Sequence, residues 1–364
     1  MKLKDLISCI EQYAPLPFQE SFDNSGLIVG NTENAVKKGL IGFDVTEELI
    51  DEAIKLKADV VITHHPLLLE GIKKITGKTY MERILIKAIK NDIAIYSAHT
   101  NLDSVKGGIS SKLCEKLELQ QCKCLAPKEN ILKKLVVFVP ESHDEKVRQA
   151  IFNAGAGNIG DYNSCSFNIE GRGSFFGGKN TKPFVGEKGQ INFEKEIRIE
   201  TIFLAHQQNS LINAIIESHP YEEPAYDIYS IDNKYEAAGF GMIGYLKEEI
   251  DENDFLKKLQ KLFNADGIRY SKTLGKKIRK VAVCGGSGSF LLQNAISEGA
   301  DIFVTGDYKY HQFFEADNKI LIADIGHFES EQVAMEIFYD ILTKKIPNFA
   351  LHLSKYSSNP INYL

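Results

Sequence analysis

The sequence predicts an α/β protein in which two related α/β halves form one core domain, interrupted by an inserted α+β unit. Three observations carry this prediction. The two ends of the chain share a gapless internal repeat, the middle follows a different element order, and the repeated strands are short apolar runs suited to a sheet covered on both faces. With 364 residues, 43% hydrophobic and 25% charged, the chain has ordinary globular composition and length for two or three domains.

In chain order, MKLKDLISCIEQYAP opens the sequence with Leu3, Leu6, Ile7 and Ile10 at helical spacing. That pattern predicts an amphipathic helix rather than a secretion signal. Next comes KKGLIGFDVTEELIDEAIKLKADVVITHH, residues 37–65, which lies without a gap on residues 279–307 of KIRKVAVCGGSGSFLLQNAISEGADIFVTGD. Ala53 and Ile54 fall on Ala295 and Ile296, Ala58 and Asp59 on Ala300 and Asp301, and Thr63 on Thr305. Each copy reads as strand, loop, helix, strand, with helix stripes Leu49, Ala53, Ile54 and Leu291, Ala295, Ile296. The likeness resumes between IAIYSAHTNLD (93–103) and ILIADIGHFESE (320–331), placing His99 on His327 and Asp103 on Glu331. Residues 1–126 and 246–364 are therefore read as the two halves of one core.

The segment between them, 127–245, has another character. KLVVFVP (134–140) reads as a strand, EKVRQAIFNAG (145–155) as a helix closed by Gly155, and CSFNIEGRGSFF and EIRIETIFLA as strands. SLINAIIESHP is helical and AYDIYSI a last strand, so the order is β-α-β-β-α-β, that of a ferredoxin-like unit. GGKNTKPFVGEKGQ, between the middle strands, reads as an exposed loop.

Composition narrows the function. A formal net charge of −6 with mixed signs argues against broad binding to nucleic-acid backbones, which needs a basic stripe. No apolar segment approaches the length of a membrane span. The six cysteines, at 9, 114, 122, 124, 165 and 284, lack zinc-knuckle or redox-pair spacing and read as reduced thiols of a cytoplasmic protein.

The chemistry is expected at strand ends. VITHHPLLL, residues 61–69, finishes a buried strand with His64 and His65 and stops it with Pro66. Ligand sites in α/β sheets form at the carboxyl ends of strands. Asp103 and His327 fall at such ends, and Glu331 follows His327 by four residues. With Ser330 as N-cap of a helix EQVAMEIFYDIL, Glu331 would lie in the first turn and His327 in the entry loop. Three imidazoles and two carboxylates exceed one tetrahedral structural zinc and suit two divalent ions sharing a carboxylate. A turn at Pro66 would let both adjacent histidines face that centre. His99, the repeat partner of His327, reads as an outer or proton-handling residue. Asp44 is a candidate orienting group, and Asp307 and His311 read equally as site or surface residues. CGGSGSF (284–290) reads as a tight strand-to-helix turn, with a phosphate cradle as the alternative. HPYEEPAYDIY (219–229) reads as a packing or subunit-interface junction of the insert.

At these residues the chain resembles the GTP cyclohydrolase I type 2 family, also called the NIF-three-like proteins. The matching motifs are FDNSGLIVG (22–30), VVITHHPLL (60–68), AHTNLD (98–103), TGDYKYH (305–311), IGHFESE (325–331) and the tail SNPINYL. The family usually has tryptophan at Phe22 and threonine at Ser330, neither a proposed ligand. The resemblance implies two metal ions, of zinc, iron or manganese, held by His64, His65, Asp103, His327 and Glu331. It implies a toroidal homohexamer and a PII- or CutA-like insert. It also implies hydrolytic opening of the GTP imidazole ring with formate release, in which His99 and Glu331 would be the catalytic residues. A metal-dependent phosphoesterase and a non-enzymatic metal- or metabolite-binding regulatory hexamer are the alternatives.

Overall fold

A computed structural model describes residues 1–364. The chain divides into two compact units, Met1–Ala126 with Ala237–Leu364, and Pro127–Glu236.

The first half of the core unit runs α1 (Leu3–Glu11), β1 (Gly26–Val29), β2 (Lys38–Ile41), α2 (Glu47–Leu56), β3 (Val60–Thr63), α3 (Tyr80–Lys90), β4 (Ala94–Ser97), α4 (Thr100–Ser104), α5 (Ile109–Lys116) and β5 (Gln120–Lys128). Local chemistry sets these elements. The Thr46 hydroxyl accepts the Leu49 N–H to start α2, with Glu47 and Glu48 in the first turn. Lys57, at φ 54°, closes the helix by donating its N–H to the carbonyls of Ala53 and Ile54. The face Leu49, Ile50, Ala53 packs with Leu40 and Val61, all buried. Every residue of β3, VVIT, is buried, as expected of a strand covered on both faces.

The inserted unit comprises β6 (Leu132–Pro140), α6 (Asp144–Asn153), β7 (Phe167–Phe176), β8 (Ile191–Leu204), α7 (Gln208–Ser218) and β9 (Tyr226–Ser230). Its sheet has the order β7-β8-β6-β9, antiparallel throughout. Leu135, Val137 and Val139 alternate along β6 and pack against Val147 and Ile151 of α6 and Leu211 and Ile215 of α7. In the HPYEEPAYDIY segment the buried His219 donates through Nε2 to the Phe138 carbonyl (2.9 Å) and accepts the Tyr221 N–H at Nδ1 (3.1 Å). This pins the α7–β9 junction onto β6.

The second half continues with β10 (Tyr235–Asp251), α8 (Glu252–Phe263), β11 (Arg269–Tyr270), β12 (Lys277–Ser287), α9 (Leu292–Ser297), β13 (Ile302–Gly306), β14 (Leu321–Asp324), α10 (His327–Glu331), α11 (Val333–Lys345) and β15 (Ala350–Leu353). Residues 242–245 of β10 pair with β12, so this stretch is core strand. The core unit holds a five-stranded sheet, β1-β4-β3-β2-β15, and a six-stranded sheet, β11-β14-β13-β12-β10-β5. In both, the repeated strands run parallel: β2, β3, β4 in one and β12, β13, β14 in the other.

The repeat also recurs at the level of single hydrogen bonds. Asp59 Oδ2 accepts the N–H groups of Lys37 and Lys38 at 2.7 and 2.9 Å, and Asp301 Oδ2 accepts those of Arg279 and Lys280 at 2.8 and 2.7 Å. Each carboxylate therefore ties the start of one parallel strand to the start of the next.

One expectation needs correction. Ser330 does not cap the long helix. Gly326, at φ 98°, turns the chain so that helix α10 already begins at His327. Ser330 lies within it, its hydroxyl donating to the His327 carbonyl and accepting the Gly286 N–H, both at 2.9 Å.

Candidate metal centre

The end of β3 answers why two histidines should be adjacent. The N–H groups of His64 and His65 both donate to the Phe43 carbonyl, at 3.1 and 3.3 Å, which breaks the strand's alternation. Their ring centroids consequently lie 4.9 Å apart on one side, against the Phe43 ring. Two short helices supply the rest. After β4, His99 precedes α4 and Asp103 follows one turn later; after β14, His327 opens α10 and Glu331 follows one turn later. Four-residue spacing puts both members of each pair on one helix face.

All five proposed ligands converge. His64 Nε2 lies 3.5 Å from Asp103 Oδ1 and 3.5 Å from Glu331 Oε2. The same Glu331 oxygen is 3.2 Å from His65 Nε2 and 2.9 Å from His327 Nε2, and those two nitrogens are 3.1 Å apart. Beside a third group made of the imidazoles of His64, His65 and His99, the result is an inner triad, His64, Asp103, Glu331, and an outer triad, His65, His327, Glu331. They share one carboxylate oxygen.

Each imidazole is oriented from behind. His64 Nδ1 donates to the Ala98 carbonyl (2.9 Å), His65 Nδ1 to Asp44 (2.6 Å), and His327 Nδ1 to Asp307 (2.8 Å). Holding the Nδ1 proton outward leaves Nε2 as the inward lone-pair donor, the arrangement metal-binding histidines use. His99 shows the same pattern, with Nδ1 donating to Asp23 at 2.9 Å and its ring 5.3 and 5.1 Å from those of His64 and His65. Asp23 also accepts the N–H and hydroxyl of Thr100. Burial alone would raise its pKa, but these hydrogen bonds hold the carboxyl far below the usual range.

The electrostatics of the group call for a cation. His64 Nε2 and Asp103 Oδ1 are buried without a hydrogen-bond partner. Burial and the neighbouring Glu331 charge push Asp103 up to about 8. Burial would raise Glu331 as well, but its three histidine partners hold it well below the carboxylate range. Burial lowers the imidazoles, yet Asp44 and Glu331 bring His65 to about 9, and Asp307 and Glu331 bring His327 to about 11. Ligands ~2.1 Å from a tetrahedral ion stand ~3.4 Å apart. The inner spacings of 3.5 Å match that figure, the outer ones of 2.9 to 3.2 Å are somewhat shorter, and the donor set is N/O, which suits divalent cations.

Neighbouring glycines make room for the shared carboxylate. A Cβ on Gly286, which sits at φ +55°, would fall 2.1 Å from Glu331 Oε1. The surrounding CGGSGSF segment has two of its amides committed within the fold. Its Gly286 N–H donates to the Ser330 hydroxyl and its Gly288 N–H to the Thr305 hydroxyl, at 2.9 and 3.0 Å, so both amides are already used. His311 stands apart from the centre, exposed and stacked near Tyr310 and Phe314. Asp44 and Asp307, in contrast, both back a histidine. Asp23 carries no expectation from the sequence; the only signal was its place in FDNSG, just before β1.

A family model described as Duf34/NIF3 (NGG1p interacting factor 3) matches residues 1–360. A Halalkalibacterium halodurans protein named GTP cyclohydrolase 1 type 2 homolog is 42% identical over 324 residues, 88% of this chain and 87% of that protein. The protein of the same name in Bacillus subtilis is 37% identical over 371 residues, covering 99% and 98%. Among solved structures, a Bacillus cereus protein described as related to NIF3 aligns with a TM-score of 0.84 at 40% identity, covering 100% of this chain and 99% of that one. A Staphylococcus aureus protein aligns with a TM-score of 0.80 at 26% identity, again over 100% and 99%.

Proposed function

The chain belongs to the Duf34/NIF3 family, and on that premise we propose that it binds two divalent metal ions and acts as a hydrolase on a nucleotide or related heterocycle. The observation that carries this reading is the buried Glu331 Oε2, which lies 3.5, 3.2 and 2.9 Å from the Nε2 atoms of His64, His65 and His327. His64, Asp103 and Glu331 would hold one ion, and His65, His327 and Glu331 the other. Ions so bound would supply Lewis acidity to a substrate oxygen and acidify a water. Three protein donors per ion leave coordination positions open, and His65 and His327 are the more exposed side of the centre, at 21% and 31% of their side chains. His99, braced by Asp23, is the proton-handling group, with Nε2 as its free ring nitrogen. The N/O set admits zinc, iron or manganese.

The substrate favoured is GTP, opened at its imidazole ring with release of formate. The names carried by the relatives support it. The same apparatus would serve a phosphoester. A regulatory reading draws on the inserted unit, whose β-α-β-β-α-β order and β7-β8-β6-β9 sheet support a ferredoxin-like, PII- or CutA-like assignment. A cavity of about 300 Å³ within it, lined by Phe175, Phe184, Glu196 and Tyr221 among others, could accept a metabolite. A toroidal homohexamer, tested by light scattering, and a cytoplasmic setting, in keeping with six free cysteines, complete the proposal.

The deciding experiment measures formate and phosphate released from GTP by metal-loaded protein and by Glu331→Ala. Formate from the native protein alone supports ring opening at this centre. Phosphate without formate moves the reading to phosphoester hydrolysis, and neither product at full metal occupancy moves it to binding.

A further inference from the structure

The eleven residues after β15, 354–364, run largely exposed, yet three of them are half-buried: Ser354, Ser358 and Asn359. Ser354 donates its hydroxyl to Glu52 at the base of the segment (2.6 Å). The other two reach the metal centre from adjacent positions. Ser358 Oγ donates to Asp44 Oδ2 at 2.5 Å, and the other oxygen of Asp44 holds His65 Nδ1 at 2.6 Å. Asn359 Nδ2 donates to Glu329 Oε1 at 2.9 Å. The remaining oxygen of the buried Glu329 lies beside Gly326, 2.0 Å from where a Cβ would be, at the turn that precedes His327.

Of the outer triad, His65 is reached through Asp44, while His327 is held by Asp307 and the segment meets its α10 turn only through Glu329. The inner triad's His64 is held by the Ala98 carbonyl, and neither Ser358 nor Asn359 bonds to Asp103. The segment therefore braces one half of the centre and not the other. We propose that Ser358 and Asn359 are positioning residues specific to the outer metal ion, so that the 354–364 segment sets how tightly that ion is held while leaving the inner ion unaffected. This rests on the two-ion reading above. Its chemical basis is that hydrogen-bonded partners behind a ligand fix its orientation and donor strength. Because the outer triad is also the more exposed, this segment governs the ion that meets substrate and exchanges with the medium.

The test is Zn²⁺ titration of metal-stripped full-length protein against a chromophoric chelator, for the native chain, Ser358→Ala, Asn359→Ala and the double variant. The native chain should show two binding events. The variants should weaken the weaker event, by ~10-fold or more in the double variant, with the tighter event unmoved as an internal control of folding. Ser358→Thr, which keeps the hydroxyl, should restore native affinity. Equal weakening of both events, or no change in either, overturns the proposal while the two-ion reading stands. A native chain that takes up fewer than two ions removes that reading, and this inference with it.

Discussion

His65 and His327 come from different halves of the core unit, 262 residues apart in sequence, yet their Nε2 atoms stand 3.1 Å apart over one oxygen of Glu331. Two imidazoles and a carboxylate at that spacing compete for protons when no cation is present.

The metal-stripped protein should lose stability in mild alkali. Burial lowers both imidazoles, but their acidic partners outweigh it, raising His65 to about 9 and His327 to about 11 from the ordinary histidine value of 6.5. A raised folded-state pKa contributes stability that is full below 6.5 and is lost as pH rises through the folded values. The melting temperature of stripped protein should therefore fall between pH 7 and ~10. Zn²⁺-loaded protein, whose ligands are already deprotonated, should show a flatter profile over the same range. Parallel profiles would show that these histidines are not coupled to the metal.

Gly286→Ala should displace the shared carboxylate. The new methyl would sit 2.1 Å from Glu331 Oε1 on a backbone at φ +55°. Left-handed strain costs the fold ~1–2 kcal/mol, while movement of Glu331 should weaken both metal-binding events together. A variant that binds Zn²⁺ like the native chain would place Glu331 outside the centre.

Asp301→Ala should destabilise the fold without touching metal affinity. Its carboxylate accepts two N–H groups from the first half of β12, and losing charged hydrogen bonds of this kind costs ~1.5–3 kcal/mol. Asp59→Ala, the repeat's equivalent, should behave alike. Urea unfolding of the two variants checks this, and a loss confined to one half would break the equivalence.

Under the proposed ring-opening function, Asp23→Asn should reduce formate release from GTP by ~100-fold, chiefly in kcat. The carboxylate fixes His99 through Nδ1, and the amide keeps the shape but not the charge. A change confined to KM would assign Asp23 to substrate binding.

The legible part of this molecule was what the repeat wrote twice. Asp59 and Asp301, Thr63 and Thr305, and the two His-x-x-x-acid turns announced two parallel α/β cores and the strand ends where ligands gather, because each occupies the same backbone position in both copies. What lay outside the repeat was hard to read. Asp23 sits in the loop before β1, which has no counterpart in the second half. Ser358 and Asn359 reach the centre from the far end of the chain, and no local pattern links them to Asp44 or Glu329. The start of α10 was misplaced because Gly326, at φ 98°, initiates the helix through backbone freedom rather than a capping side chain. CGGSGSF reads from sequence as a tight turn, and the cradle alternative stays open there because sequence cannot show that Ser330 and Thr305 already accept two of its amides.

The shared oxygen of Glu331 is the central claim, and metal content per chain tests it most directly. Zn²⁺ bound by the native protein, Glu331→Ala, Asp103→Ala and His327→Ala would be counted after equilibrium dialysis. The account predicts two ions in the native chain, one in Asp103→Ala, one in His327→Ala, and none held tightly in Glu331→Ala, because that residue alone serves both triads. Glu331→Ala that retains either ion, or an Asp103→Ala that loses both, would contradict it.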